Sequence, residues 1–276
     1  MRNTGSPRAD AESDFLRARR RQVLAAVGGR FLPNAETTPL DFGEVVKALG
    51  YRGEQQLGEL VIPLSRIVGS VDKSTEFDRG FRPTSGRSRQ RWERIAEAIR
   101  RGEETPPIDV YKVGDLYFVR DGHHRVSVAN ALGLDLIDAF VTQVSTAISP
   151  AGVETSEDLG RLHWRRIFLD RVPLTGSARE EIDVANPDNY HRLAEMVEAW
   201  SARRMHVEGT YLDKPTAAAR WHVEEYLPVL AMIREVGLAR PGETPADAYI
   251  RVACERYELS REHTWELDVL EALRKR

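Results

Sequence analysis

Leu116-Tyr117-Phe118-Val119-Arg120-Asp121-Gly122-His123-His124-Arg125-Val126-Ser127-Val128-Ala129-Asn130-Ala131-Leu132-Gly133 changes its period halfway along. Leu116 to Arg120 reads as a strand, Asp121-Gly122 as a turn, and Val126, Val128, Ala129 and Leu132 suit a helix that Gly133 closes. Upstream, Ile108 to Val113 is a second strand, separated from the first only by Gly114-Asp115. That dipeptide marks a hairpin, because two-residue turns need positive φ and Gly supplies it without strain. Downstream, Leu136 to Val141 suits one more strand. Farther out, Leu60, Val61 and Ile62, then Leu64, Ile67 and Val68, form short β-like runs around Pro63. Arg91 to Arg101 reads as a helix with Trp92, Ile95 and Ile99 on one face and Gly102 at its end, cut off by Thr105-Pro106-Pro107. Residues 57–148 are thus expected to fold as one α+β domain.

A strand that ends in Asp-Gly and turns directly into a helix exposes backbone N–H groups at the helix start, where the dipole also favours an anion. Gly122 lets a ligand approach the backbone closely, and Arg125 adds a planar donor fork matched to phosphate oxygens. His123 and His124 can donate hydrogen bonds or titrate near neutrality. Asp121 can orient a metal, hold a histidine or accept a proton. A plainer reading fits the same residues: Asp121 caps the helix, Gly122 makes the turn, and the histidines bond to the core or face water. Adjacent side chains at a helix start point about 100° apart, and no third ligand is spaced nearby, so no metal chelated by these histidines is expected.

The flanks differ from this centre. Residues 1–56 are expected as an N-terminal helical arm, with Phe15, Leu16, Val23, Leu24 and Val27 sharing an inward face and a short helix from Asp41, its cap, to Leu49 before Gly50. Arg19-Arg20-Arg21-Gln22-Val23-Leu24 imitates an export signal, but its apolar run is short and ends at Arg30, so export is not expected. Residues 149–276 lose the strand signal and are expected as an all-α C-terminal domain. Helices are predicted around Leu193 to Trp200, Trp221 to Ile233, Tyr249 to Tyr257 and Trp265 to Leu273, with Trp164, Trp200, Trp221 and Trp265 in the core. Thr244-Pro245-Ala246-Asp247 is a capping box, and Pro228 should kink or break its helix.

Composition narrows the function. Of 276 residues, 40 are Lys or Arg and 43 Asp or Glu, so a net charge of −3 provides no global attraction to nucleic acid or anionic lipid. One cysteine, Cys254, excludes an internal disulfide and a Cys-rich zinc site and favours a reducing, cytoplasmic setting. No run approaches the ~18 apolar residues of a membrane span. Charge is instead local. Asp72, Glu76 and Asp78 precede an arginine stripe over residues 79–101, where eight Arg face two acids, Glu93 and Glu97, and Phe81 and Trp92 interleave. Such a stripe can grip a nucleic-acid backbone, although Trp92, spaced with Ile95 and Ile99, also reads as core beneath a solvated basic face.

Together these residues resemble the ParB and sulfiredoxin superfamily. The order of elements from Leu60 to Val141, with the strand running into Asp121-Gly122-His123-His124-Arg125, looks like its core, over roughly a third of the chain. ParB proteins bind CTP through Gly-Glu-Arg-Arg, which Gly122, Arg125 and Ala129 match in part, with His123, His124 and Ser127 departing. Sulfiredoxins grip ATP with Gly-Gly-Cys-His-Arg; Gly122, His124 and Arg125 match, but His123 stands in place of the catalytic cysteine, which excludes sulfinic acid reduction. ParB-like free serine kinases resemble the chain better, their Asp-Gly-His-x-Arg falling on Asp121, Gly122, His123 and Arg125. An uncharacterised bacterial group carries Asp-Gly-His-His-Arg itself, and the helical tail around Glu225 to Glu235 looks like tails of other such proteins.

The resemblance implies a nucleoside triphosphate or diphosphate with Mg²⁺, held by Gly122, His123, His124 and Arg125. Asp121 would orient Mg²⁺ or the acceptor and, with His123, serve catalysis; kinases of this fold use a glutamate from an early loop, which makes Glu76 the candidate base. Hydrolysis or phosphotransfer is the expected chemistry. The alternative is a non-enzymatic DNA-associated regulator touching DNA through Arg79 to Arg101. ParB proteins also read DNA with a helix-turn-helix, for which Ala246 to Leu270, jointed near Glu258-Leu259-Ser260, is the one local candidate; residues 181–276 hold 13 basic against 18 acidic residues, the wrong sign for such a reader. A homodimer is compatible with the sequence.

Overall fold

A computed structural model describes residues 4–29, 38–71, 76–260, 270 and 273–274. The chain forms two compact units, Met1–Leu159 and Gly160–Arg276. In the first, the elements run α1 (Pro7–Gly29), β1 (Leu40–Asp41), α2 (Phe42–Leu49), β2 (Tyr51–Pro63), a 3₁₀ turn at Leu64–Arg66, β3 (Ile67–Ser70), α3 (Arg89–Arg100), β4 (Ile108–Val113), β5 (Leu116–Asp121), α4 (His123–Leu132) and β6 (Leu136–Thr146). The six strands form one sheet in the order β1-β3-β5-β4-β6-β2.

The hairpin sits where the sequence puts it: β4 and β5 pair antiparallel, with Val113 opposite Leu116 and Gly114 at φ 57°. β3 lies parallel to β5 on its other side, with Ser70 opposite Val119. β6 pairs parallel to β4 and antiparallel to β2, which carries it to Thr146 rather than stopping at Val141. β2 departs most from expectation, beginning at Tyr51 and not near Leu60. Apart from Tyr51 and Leu57, its first nine residues are polar or glycine because it is an edge strand with one neighbour and a mostly exposed surface, so no apolar alternation marks it. Register shifts beside Gly53 and Gly58 further blur the period.

α4 is central. Val126 and Ala129 pack on the sheet with Ile108, Val110, Val119 and Val141, while Val128 and Leu132 meet Trp92 and Ala96 of α3 and Phe15 of α1. Burial on both sides explains why its apolar residues show no single stripe. The opposite face of the sheet receives α2, whose Phe42 stacks on Tyr111 with centroids 4.5 Å apart. Asp41 caps α2 by accepting from the Glu44 amide at 2.8 Å, and Gly50 ends it, as expected.

Residues 1–56, read as an arm, fall in the same compact unit as the sheet. The face of α1 that packs is not the expected one. Ala11, Phe15 and Ala18 point inward, with Asp10 and Asp14 buried beside them. Arg100 of α3 draws those acids in, its Nη2 donating to Asp14 Oδ2 at 2.6 Å, and Phe15 stands edge-on to Trp92 at 5.5 Å. Leu16, Val23, Leu24 and Val27 are consequently exposed.

Helix α5 (Ser156–Arg171) carries the chain into the second unit, which continues through α6 (Gly176–Glu181), α7 (Asn189–Glu208), α8 (Lys214–Trp221), α9 (Leu227–Glu235) and α10 (Pro245–Ser260). Pro228 does not break its helix. A π turn at His222–Tyr226 joins α8 to α9 and widens the backbone at Glu224, whose carbonyl the proline ring would otherwise meet. Trp200 and Trp221 are buried as expected, and Trp221 lies against Tyr226 and Tyr249. Trp164, expected in the core, is 36% exposed. The helix predicted over Trp265 to Leu273 falls mostly outside the described residues, as does the second half of the helix-turn-helix candidate; α10 itself continues through Ser260. No helix among the described residues is long and apolar enough to cross a membrane.

Candidate functional site

The carboxyl ends of the parallel strands β3 and β5 meet the start of α4, the position at which open α/β sheets place their ligands. Gly122 makes the junction at φ 103°, ψ 18°. A Cβ there would fall 2.5 Å from Ile108 Cγ2, so both the conformation and the space require glycine. Having no side chain, Gly122 cannot cap the helix. The Val126 amide closes on the Gly122 carbonyl at 3.1 Å, and the amides of His124 and Arg125 have no hydrogen-bond partner among the described residues.

The two histidines diverge. Nε2 of His123 lies 2.6 Å from Ser70 Oγ, which also reaches the Val119 carbonyl at 3.4 Å. His124 turns inward, 8% exposed, edge-on to Phe77 at 5.1 Å, with Nε2 3.9 Å from Glu76 Oε2. Its Nδ1 is buried without a hydrogen-bond partner. Burial, reinforced by the positive charge of Arg91 and opposed by Glu76, holds the imidazole below its ordinary pKa, so it is neutral at pH 7.

Arg125 does not present the free fork expected of it. Nη1 donates to the carbonyls of Pro106 and Pro107 at 2.5 and 2.6 Å, and Nη2 to Asp121 Oδ2 at 2.7 Å. Three of its five N–H donors thus strap the segment before β4 to the β5–α4 turn. Asp121, expected to orient Mg²⁺ or the acceptor, is the acid in that strap, although its side chain is 69% exposed.

Glu76, the candidate base, stands with Oε2 3.9 Å from His124 Nε2 on a loop closed by its own hydrogen bonds. Asp78 accepts from the Gly80 and Arg82 amides and from Arg82 Nε, and the Thr84 amide closes on the Glu76 carbonyl. Asp72 lies outside the described residues. The arginine stripe is divided in purpose. Arg82 pairs with Asp78, Arg89 with Glu93, Arg100 with Asp14 and Arg101 with Glu97. Arg87, Arg91 and Arg94 have no side-chain hydrogen bond or ion pair among the described residues. Arg91, Arg94 and Arg125 line one cavity of about 530 Å³ with Ile95, Ala98 and Pro106, and Glu97, Glu103 and Glu104 line it too. Among the described residues, no group of three or more His, Cys, Asp or Glu could hold a metal ion.

Sequence reasoning missed Ser70 and Ser127. Ser70 ends a short strand whose parallel pairing with β5 no local pattern announces, and Ser127 accepts from Trp92 Nε1 at 2.8 Å in a buried contact between α3 and α4.

A mixed sheet with a glycine-initiated helix at the carboxyl ends of two parallel strands defines an α+β domain. The family model described as ParB N-terminal domain matches residues 71–153, which supports a ParB-like domain over that stretch. No curated protein matches the chain.

Proposed function

We propose that the ParB-like domain binds the phosphates of a nucleoside triphosphate or diphosphate, with Mg²⁺ as its counterion, at the start of α4. The uncapped start of α4, with the His124 and Arg125 amides unpartnered among the described residues, carries this reading. Amides of the first turn and His124 would receive phosphate oxygens. Arg91 and Arg94 would supply mobile cations from the adjoining cavity, whose apolar floor suits a base or ribose. Arg125 and Gly122 would hold the turn in shape. His123, fixed by Ser70, and Glu76 are the side chains suited to proton handling: an acceptor oxygen attacks the terminal phosphorus, the bridging P–O bond breaks, and the acceptor proton passes to Glu76. Isothermal titration with ATP, ADP, CTP and GTP in Mg²⁺ tests the binding reading. Saturable heat with at least one is expected, and no heat with any would end it.

A second reading, a DNA-associated regulator, draws on the family match and on Arg87, Arg91 and Arg94, which no acid neutralises among the described residues. It predicts duplex binding that weakens steeply with salt, and a flat gel shift at low salt would dispose of it.

A further inference from the structure

Helix α1 carries apolar residues on two opposite sides. Ala11, Phe15 and Ala18 are buried against α3 and α4. At about 100° per residue, Leu16, Val23 and Val27 fall within about 40° of one another on the far side, with Leu24 adjoining. All four are exposed, Leu24 at 71%. From Leu16 to Gly29 the helix contains Arg17, Arg19, Arg20 and Arg21 and no acid. Arg17 is paired with Asp14, and Arg19 donates to the Pro83 carbonyl at 2.8 Å; Arg20 and Arg21 are exposed.

We propose that this outward face of α1 docks on an anionic lipid surface. The charge on the face selects the occupant. A second copy of the same stripe would set Arg20, which lies on it, against its own equivalent, and the two repel. Nucleic acid would satisfy the arginines but leave Leu16, Val23, Leu24 and Val27 without a partner. An anionic bilayer satisfies both sets: the branched apolar side chains enter the headgroup boundary while the long arginine stems keep their guanidinium groups at the phosphate level. Each signal alone is weak, and together they provide the two that stable peripheral attachment requires. Arg82, whose Nη1 donates to the Arg21 carbonyl at 3.4 Å, ties this half of the helix to the loop that carries Glu76.

The test is co-sedimentation of the full chain with vesicles of phosphatidylcholine alone or mixed with phosphatidylglycerol, at low and physiological salt. Binding to the anionic vesicles alone is expected. R20Q with R21Q should weaken it about 30-fold, from roughly a fivefold loss per cation removed, and V23S with L24S should also release the protein. All four positions are exposed, so circular dichroism should show both variants folded. Failure to bind anionic vesicles at low salt overturns the proposal. Retention by the serine variant while the glutamine variant is released also overturns it, because the apolar stripe would then be idle. A wild-type dimer that the serine substitutions convert to monomer overturns it in favour of a self-interface.

Discussion

Four helices of this protein begin in two different ways. α2, α8 and α10 fill their own first turns: Asp41 accepts from the Glu44 amide and Asp213 from the Thr216 amide, each at 2.8 Å, and Thr244 Oγ1 accepts from the Asp247 amide at 3.1 Å. α4 begins at a glycine with no side chain to offer. Both arrangements are built into the sequence, but only the second leaves the first-turn donors without a partner from the helix's own cap. The lesson is that the anion-binding capacity of a helix start is decided by what its cap lacks. At α4 the cap lacks everything because Ile108 occupies the space in which a Cβ would stand.

The largest effect that would sharpen this contrast is Gly122→Ala. The added Cβ clashes with Ile108 and the φ of 103° is strained for any L side chain, so destabilisation of about 3 kcal/mol is expected from a urea unfolding midpoint. Gly133→Ala, at the other end of the same helix with φ 73° and open space, should lose only about 1 kcal/mol; equal losses would mean that Ile108 does not enforce the open cap.

Ser127→Ala comes next, because it strands the buried Trp92 Nε1–H that helps seat α4. A loss of about 2 kcal/mol with no change in nucleotide titration is expected. Thr244→Ala should then lower stability by about 1 kcal/mol in unfolding, again without touching ligand binding, since that helix closes itself.

The smallest effect is in pH dependence. Burial lowers the His124 pKa in the folded state, so as pH falls the unfolded chain takes up a proton first. The contribution is complete above about pH 6.5 and is lost as pH drops from there through the lower folded-state value. His222, also lowered by burial, adds in the same sense. His124→Gln should therefore lose less stability than wild type between about pH 8 and about pH 5.5, measured by the same unfolding midpoints; an unchanged slope would place His124 in water.

Where the chain makes its own local choices, the sequence was readable. The Gly114-Asp115 hairpin, the Asp121-Gly122 turn, the Asp41 cap and the Thr244 box each depend on residues within a few positions of one another. Long-range partners escaped it. β2 owes its length to β6, the inward face of α1 is set by Arg100 some 86 positions from Asp14, and Ser70 meets His123 only because β3 lies parallel to β5. Within the site, Gly122, His123, His124 and Glu76 are brought together as the sequence suggested. Arg125 is there too, but two proline carbonyls that no motif flags take the donors expected to meet phosphate.

The account rests on the first turn of α4, and amide NMR of the ¹⁵N-labelled chain during titration with Mg²⁺-nucleotides observes that turn directly. The largest shifts should fall on residues 122–126, with further changes at Arg91 and Arg94. Saturating shifts confined to other elements, or none at residues 122–126 with any nucleotide, would contradict it.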